Sequence, residues 1–252
     1  MKFIKGLLSV SVALLTSTST LIGQISPFSE DFESMNVATT GDTSLTAGGW
    51  KTFVNVFNFD RTAYKYGYGT FDAPNDGGGY SAVVSGQGGA QQGNNQLSIY
   101  SNYGDTVHGS GDILETSVFR EVTIDSSNVG QTWQFQFDAK MGNLAAPSTA
   151  LAFIKTLDPG ANYAMTNFVT EDMTSISTAW ATYSIDLPIT SALAGQIFQI
   201  GFSNDAANYD PSGVFYDNVS LTAVPEPSTW ALIGGLVTFL FVAVRRYRGR
   251  RA

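Results

Sequence analysis

The chain has 252 residues, with 13 lysines and arginines against 21 aspartates and glutamates, one histidine and no cysteine. Between residues 24 and 224 only six cations (Lys51, Arg61, Lys65, Arg120, Lys140, Lys155) face twenty carboxylates. That is the wrong sign for nucleic acid or an anionic membrane surface, and without cysteine no disulfide can brace the fold, so stability rests on packing, with metal ions as a further support.

From the N-terminus, Lys2 and Lys5 precede an apolar stretch running from Gly6 to Val12 and on through Leu14 and Leu15, and then the polar series Thr16, Ser17, Thr18, Ser19 and Thr20. This layout predicts a secretory signal peptide over 1–23. An uncleaved anchor is the alternative. Residues 24–223 are then enough for one domain with a sizeable core, and they contain neither an internal repeat nor a visible boundary.

Within this body the dominant pattern has a period of two. Trp133, Phe135 and Phe137 alternate with Gln134, Gln136 and Asp138, and Ala181, Tyr183, Ile185 and Leu187 alternate with Thr182, Ser184 and Asp186. Each set puts apolar side chains on one face of a strand and polar ones on the other. Similar runs at 28–32, 50–59, 80–85, 96–100, 113–124, 150–157, 197–202 and 214–221 bring the total to about ten strands. They are separated by turn-rich segments at 72–79, 85–95 and 125–130, where Gly, Asn and Asp supply turn conformations. An all-β, antiparallel sandwich or barrel follows, because a single open sheet of that size leaves its apolar face uncovered. Trp50 and Trp180 can serve either as sugar-stacking rings or as core residues, and core packing is the favoured reading.

The C-terminal segment has a different composition. Val224, Pro225, Glu226, Pro227 and Ser228 lead into an apolar run at 230–244, and Arg245, Arg246, Arg248, Arg250 and Arg251 close the chain. A helix over that run is about 22 Å long, short of the roughly 30 Å hydrocarbon core. It predicts a marginal single transmembrane helix, and the arginines at 245–252 hold that end in the cytoplasm; a plain single-pass anchor or a buried core helix is the alternative. This tail closely resembles the PEP-CTERM sorting signal of exopolysaccharide-producing Gram-negative bacteria. The resemblance implies a precursor anchored transiently in the inner membrane, cut near Pro225-Glu226-Pro227 by an exosortase-type membrane protease, and delivered to the cell surface or extracellular matrix.

The body has a weaker resemblance. Its carriers are the acidic-aromatic opening Asp31-Phe32-Glu33, the paired stretch 117–140, the strand 180–187, the segment 201–205 and the closing run 213–221. Their order is similar to jelly-roll carbohydrate-binding modules with a galactose-binding-like sandwich, and implies that fold. It also implies a structural calcium where first and last strands meet, at Glu33 and Asp217 with Asp31 as a third ligand; calcium needs six to eight oxygens, so backbone carbonyls must complete the shell.

Sugar binding calls for exposed rings with amides and charges beside them. The candidates are Tyr64, Tyr66 and Tyr68, which any extended stretch places on one side, and Tyr100 with Tyr103. Sheet-face packing is the alternative for each. For catalysis, the chain offers His108 with Ser110, or carboxylate pairs such as Glu115 with Glu121 and Glu171 with Asp172; strand carboxylates are too ordinary to indicate a glycosidase, and no enzymatic activity is expected. The expectation is therefore an exported, non-catalytic sandwich that binds polysaccharide, with a matrix component lacking any small ligand as the alternative and a glycoside-active enzyme as a lesser one.

Overall fold

A computed structural model describes residues 24–37, 44–69, 81–101, 111–207 and 210–224. The expected signal peptide at 1–23, the motif residues Pro225, Glu226, Pro227 and Ser228, the span at 230–244, the arginines from Arg245 to Arg251, the turn at 72–77, and Tyr103, His108 and Ser110 lie outside these residues. Among the described residues no helix is long and apolar enough to cross a membrane.

The strands are β1 (Phe28–Glu30), β2 (Lys51–Phe57), β3 (Tyr64–Gly69), β4 (Ser81–Ser85), β5 (Asn95–Ile99), β6 (Ile113–Thr123), β7 (Thr132–Met141), β8 (Thr149–Asp158), β9 (Ala164–Asp172), β10 (Ala181–Pro188), β11 (Ile197–Ala206) and β12 (Val214–Val224). They form two six-stranded sheets. The first has the order β10-β7-β12-β5-β4, with β1 also on β12, and the second has the order β3-β2-β6-β11-β8-β9. Every pairing is antiparallel. The chain passes back and forth between the sheets, so the body is the expected antiparallel jelly-roll sandwich, with twelve strands among the described residues against the expected ten or so.

Alternation decides which side chains meet between the sheets. Trp133, Phe135 and Phe137 of β7 are buried, as are Phe198, Ile200 and Phe202 of β11. Phe202 stacks on Tyr216 of β12 with ring centroids 3.8 Å apart and meets Phe137 edge-on at 5.0 Å. Trp50 joins the same core, 6.4 Å from Phe202, as its sequence context suggested. Trp180 does not: it is half-buried on the outside of the first sheet, where its indole Nε1 donates to the Gln87 carbonyl at 3.1 Å. The reason is parity, because Ala181, Tyr183, Ile185 and Leu187 take the inward-leading positions and Trp180 precedes them by one.

Two strands position the rest. β12 is bulged between Asp217 and Ser220 against β7, and Asn218 adopts a positive φ of 47° there. The segment 85–95 folds across the outside of the first sheet, held by Lys140 and Trp180 on the Gln87 carbonyl and by Asn218 on the Gln91 carbonyl.

Candidate functional site

The outer face of the second sheet carries aromatic rings beside polar side chains. Register places Phe168, Lys155, Gln199 and Glu121 in one row, and Thr170, Phe153, Gly201, Phe119 and Lys51 in the next. A third row runs from Leu151 through Ser203 and Ser117 to Phe53. Gly201 sits between Phe153 and Phe119, and a Cβ there would lie 2.6 Å from that of Phe119. The space beside Gly201 is thus filled by Phe119 and its backbone, and Phe153 is buried, so the rings open to solvent here are Phe168 and, in part, Phe119. Phe168, 47% exposed, lies 6.0 Å from Phe153, and the Lys155 ammonium stands 5.1 Å over the Phe153 ring.

The polar groups of this face are held in place by one another. Glu121 pairs with Lys51 and accepts from Gln199 Nε2 at 2.8 Å. Burial raises its pKa, but the hydrogen bonds from Lys51 and Gln199 outweigh that and hold the carboxyl below its usual range. Glu115 accepts from Asn55 Nδ2 at 2.8 Å and pairs with Arg61, which also pairs with Asp205 and lies 4.8 Å over the Phe57 ring. Burial lowers the pKa of Lys155, with Glu115 and Glu121 opposing.

The tyrosines of β3 do not share a side as expected. The ladder slips between Val56 and Phe57, so Tyr64 pairs with Phe57 whereas Tyr66 and Tyr68 pair with Val56 and Val54. Tyr64 meets Phe57 edge-on at 5.8 Å on the outer face, close to where a Gly67 side chain would be. Tyr66 and Tyr68 stack on each other at 6.4 Å on the opposite side, and Tyr68 packs against buried Val54, Val56 and Leu114. An extra residue in one strand inverts the facing of everything beyond it.

A groove on the first sheet contains the other described candidate, Tyr100. It measures about 660 Å³, and Lys140, Phe215, Asn143 and Thr178 line it as well. Phe215 stands opposite Lys140 in one ladder and Ser98 in another. The Lys140 ammonium lies 5.3 Å from the Trp180 ring centre and 5.4 Å from that of Phe215. Nothing in the sequence around Lys140 marks it, since it ends a strand of ordinary alternation; the groove arises from the 85–95 loop folding back.

Near the bulge lies an acidic niche. Asp217 stands opposite Asp138, its Oδ1 accepts the Asn218 N–H at 2.6 Å, and its buried Oδ2 has no hydrogen-bond partner. Burial pushes its pKa up to about 7, the Asn218 N–H and the nearby Gln96 side chain oppose that, and Glu33 and Asp138 add repulsion. Glu33 Oε1 accepts the N–H groups of Asn94 and Asn95, each at 2.7 Å. Asp31 is exposed and accepts the Glu33 N–H at 3.2 Å. The structure thus brings Glu33 and Asp217 into one neighbourhood with Asp138 as a third carboxylate that the sequence did not single out. No group of three or more His, Cys, Asp or Glu among the described residues converges on a metal-sized site.

The carboxylate pairs considered for hydrolysis are poorly placed. Glu115 and Glu121 share a face of β6 but are six residues apart, about 20 Å along a strand, against the 5–9.5 Å that glycosidases use. Glu171 and Asp172 are adjacent in β9 and point to opposite faces.

Comparison with known proteins bears first on the tail. Residues 223–248 match the PEP-CTERM protein-sorting motif. The C-terminal segment is a PEP-CTERM sorting signal. It marks the chain as exported. No curated protein matches the chain by sequence.

Solved structures similar to the body include the enzymatically active domain of bacteriophage CBA120 tailspike protein 4 (13% identity, TM-score 0.40, 57% of this chain and 18% of that one). Another is the carbohydrate-binding module TmCBM61 in complex with β-1,4-galactotriose (14%, 0.35, 57% and 83%). A third is a Stig cyclase from Fischerella sp. TAU (15%, 0.45, 77% and 93%). The chain spans less than a fifth of the tailspike domain, and the ligands belong to those proteins.

Proposed function

We propose that this protein is exported as a precursor anchored in the inner membrane by residues 230–244, cut near Pro225-Glu226-Pro227 by an exosortase-type protease, and delivered to the surface or extracellular matrix of a Gram-negative bacterium, where its sandwich binds polysaccharide without hydrolysing it. The sorting motif at 223–248 supports the route. The outer face of the second sheet supports the binding. There Phe168 is 47% exposed, and Lys155, Gln199 and Glu121 follow it in the same row, with Lys51 in the next. A pyranose ring laid on the exposed Phe168 ring presents its C–H face there and its hydroxyls to the ammonium and amide of Lys155 and Gln199 in the same row, the division of labour common to small-molecule sites. Non-catalytic binding fits Glu121, which is held ionised by Lys51 and Gln199 and so lacks the raised pKa of a general acid.

Structural calcium is part of the same proposal. Glu33 and Asp217 would hold it with backbone carbonyls, and the unpartnered, buried Asp217 Oδ2 is the observation that favours it. A bound cation would neutralise a carboxylate that burial otherwise drives toward protonation.

Affinity electrophoresis of the protein through gels containing the host polysaccharide tests the binding, with retardation expected; unretarded migration in every glycan would leave the matrix-component alternative standing. Mass spectrometry of the surface fraction tests the route. Recovery there of an intact peptide reaching Arg251 would contradict the trimming.

A further inference from the structure

The six cations of the body differ in company. Lys51 pairs with Glu121, Arg61 with Glu115 and Asp205, and Lys65 with Asp112. Arg120 feels Glu30, and Lys155 feels Glu115 and Glu121. Among the described residues Lys140 alone has no carboxylate supporting its charge: burial lowers its pKa, and no acid opposes that. Asp138, two residues back on the same face, is turned away into bonds from Gln92 Nε2, Thr182 Oγ1 and Asn218 Nδ2 at 2.9, 2.6 and 2.8 Å. In a domain where carboxylates outnumber cations by more than three to one, that isolation needs an account.

The groove supplies the rest of a site. Lys140 Nζ gives one of its three hydrogens to the Gln87 carbonyl at 2.6 Å, which leaves two donors. Phe215 and Trp180 stand on either side of it at 5.4 and 5.3 Å, stabilising the ammonium without neutralising it. The backbone is shaped around these rings. A Cβ at Gly142 would lie 3.0 Å from the Phe215 ring, and one at Gly89 would lie 3.1 Å from that of Trp180. Ser98 and Thr178 add hydroxyls to the lining, and the volume of about 660 Å³ holds one or two sugar rings.

We propose that this groove is a second binding site, specific for an acidic sugar, in which Lys140 takes the carboxylate of a uronate residue while the sugar ring packs on Phe215. The site lies on the opposite sheet from the Phe153 and Phe119 face, so each can fail without the other. A hexuronate differs from its neutral hexose only at C6, where a carboxylate replaces CH2OH. Charge recognition at Lys140 therefore predicts discrimination between two otherwise superposable rings.

The test is titration of the full-length protein, in a detergent without a sugar headgroup, with trigalacturonate and with neutral galactotriose, read by calorimetry and by the fluorescence of Trp180. Trigalacturonate should bind at least about tenfold more tightly than galactotriose at low salt. Lys140→Gln should abolish that preference, and Lys140→Arg should keep most of it. Thermal melting of each variant separates misfolding from loss of binding, and the loss of preference at high salt in the wild-type protein gives a reading that needs no variant. Equal binding of the two trisaccharides, or an unaltered preference in folded Lys140→Gln, would overturn the proposal. So would displacement by sodium acetate at equal concentration, since that would reduce the groove to a simple anion hole.

Discussion

Asp217 faces Asp138 across the β12–β7 ladder, and of their four carboxylate oxygens the buried Asp217 Oδ2 is the one with no hydrogen-bond partner. Two acids so close in a poorly solvated place favour the neutral form of the more buried one.

That has a pH signature in the metal-free protein. The Asp217 pKa rises from an ordinary 3.8 to about 7 on folding. The folded state thus holds the proton more tightly, and this group's contribution is most favourable below pH 4. It is lost as pH rises toward 7 and stays lost above. At about 1.4 kcal/mol per pKa unit the loss is of order 4 kcal/mol. Urea unfolding in chelator between pH 4 and 8 should show stability falling with pH, and Asp217→Asn should flatten the slope. A wild-type stability that rises over the same interval would refute the assignment.

Calcium should reverse that loss. At a concentration one hundred times its dissociation constant, a ligand of the native state adds about 2.7 kcal/mol, which for a domain of this size is roughly 5 to 10 °C in Tm. Melting at pH 8 with calcium and with chelator checks it. Glu33→Gln and Asp217→Asn should each remove the increment, and equal Tm values with and without calcium in the wild type would remove the metal from the account.

On the second sheet, Phe168→Ala should weaken glycan retention about five- to tenfold, consistent with about 1 to 1.5 kcal/mol for an aromatic contact. Its ring is 47% exposed, so Tm should barely move. Unchanged retention alongside unchanged Tm would place the glycan elsewhere.

Gly201→Ala tests the close approach of β11 to β6 at Phe119. The new methyl would press on the Phe119 Cα and Cβ and on the Val118 carbonyl, backbone and near-backbone atoms that cannot swing aside. Overpacking of this kind costs about 1–3 kcal/mol. Chemical denaturation should show that loss; a neutral substitution would mean the strands separate more easily than their ladder suggests.

Much of this was legible from residue order. Alternation at 133–138 and 180–187 gave the right faces, because each strand has one buried side and one wet one. β9 left no such trace: as an edge strand its pattern is almost uniformly exposed, with Met165, Phe168 and Val169 all open to solvent. A one-residue slip is silent in sequence too, which is why Tyr64 parts company with Tyr66 and Tyr68. Lys140 belongs to a groove only because Gln87, 53 residues away in a glycine-rich loop, folds over it. Asp138 became visible as a partner of Asp217 only once β7 and β12 were paired.

The last strand remains in its ladder as far as Val224, opposite Thr132, so the sorting motif begins while the chain is still hydrogen-bonded. Only residues 225–229 separate it from Trp230, a leash of about 17 Å at full extension. In a precursor anchored as proposed, tension would reach the domain along β12, which is zipped to β7 on one side and to β5 and β1 on the other. Pulled lengthwise, those ladders would load their hydrogen bonds together rather than peel one at a time.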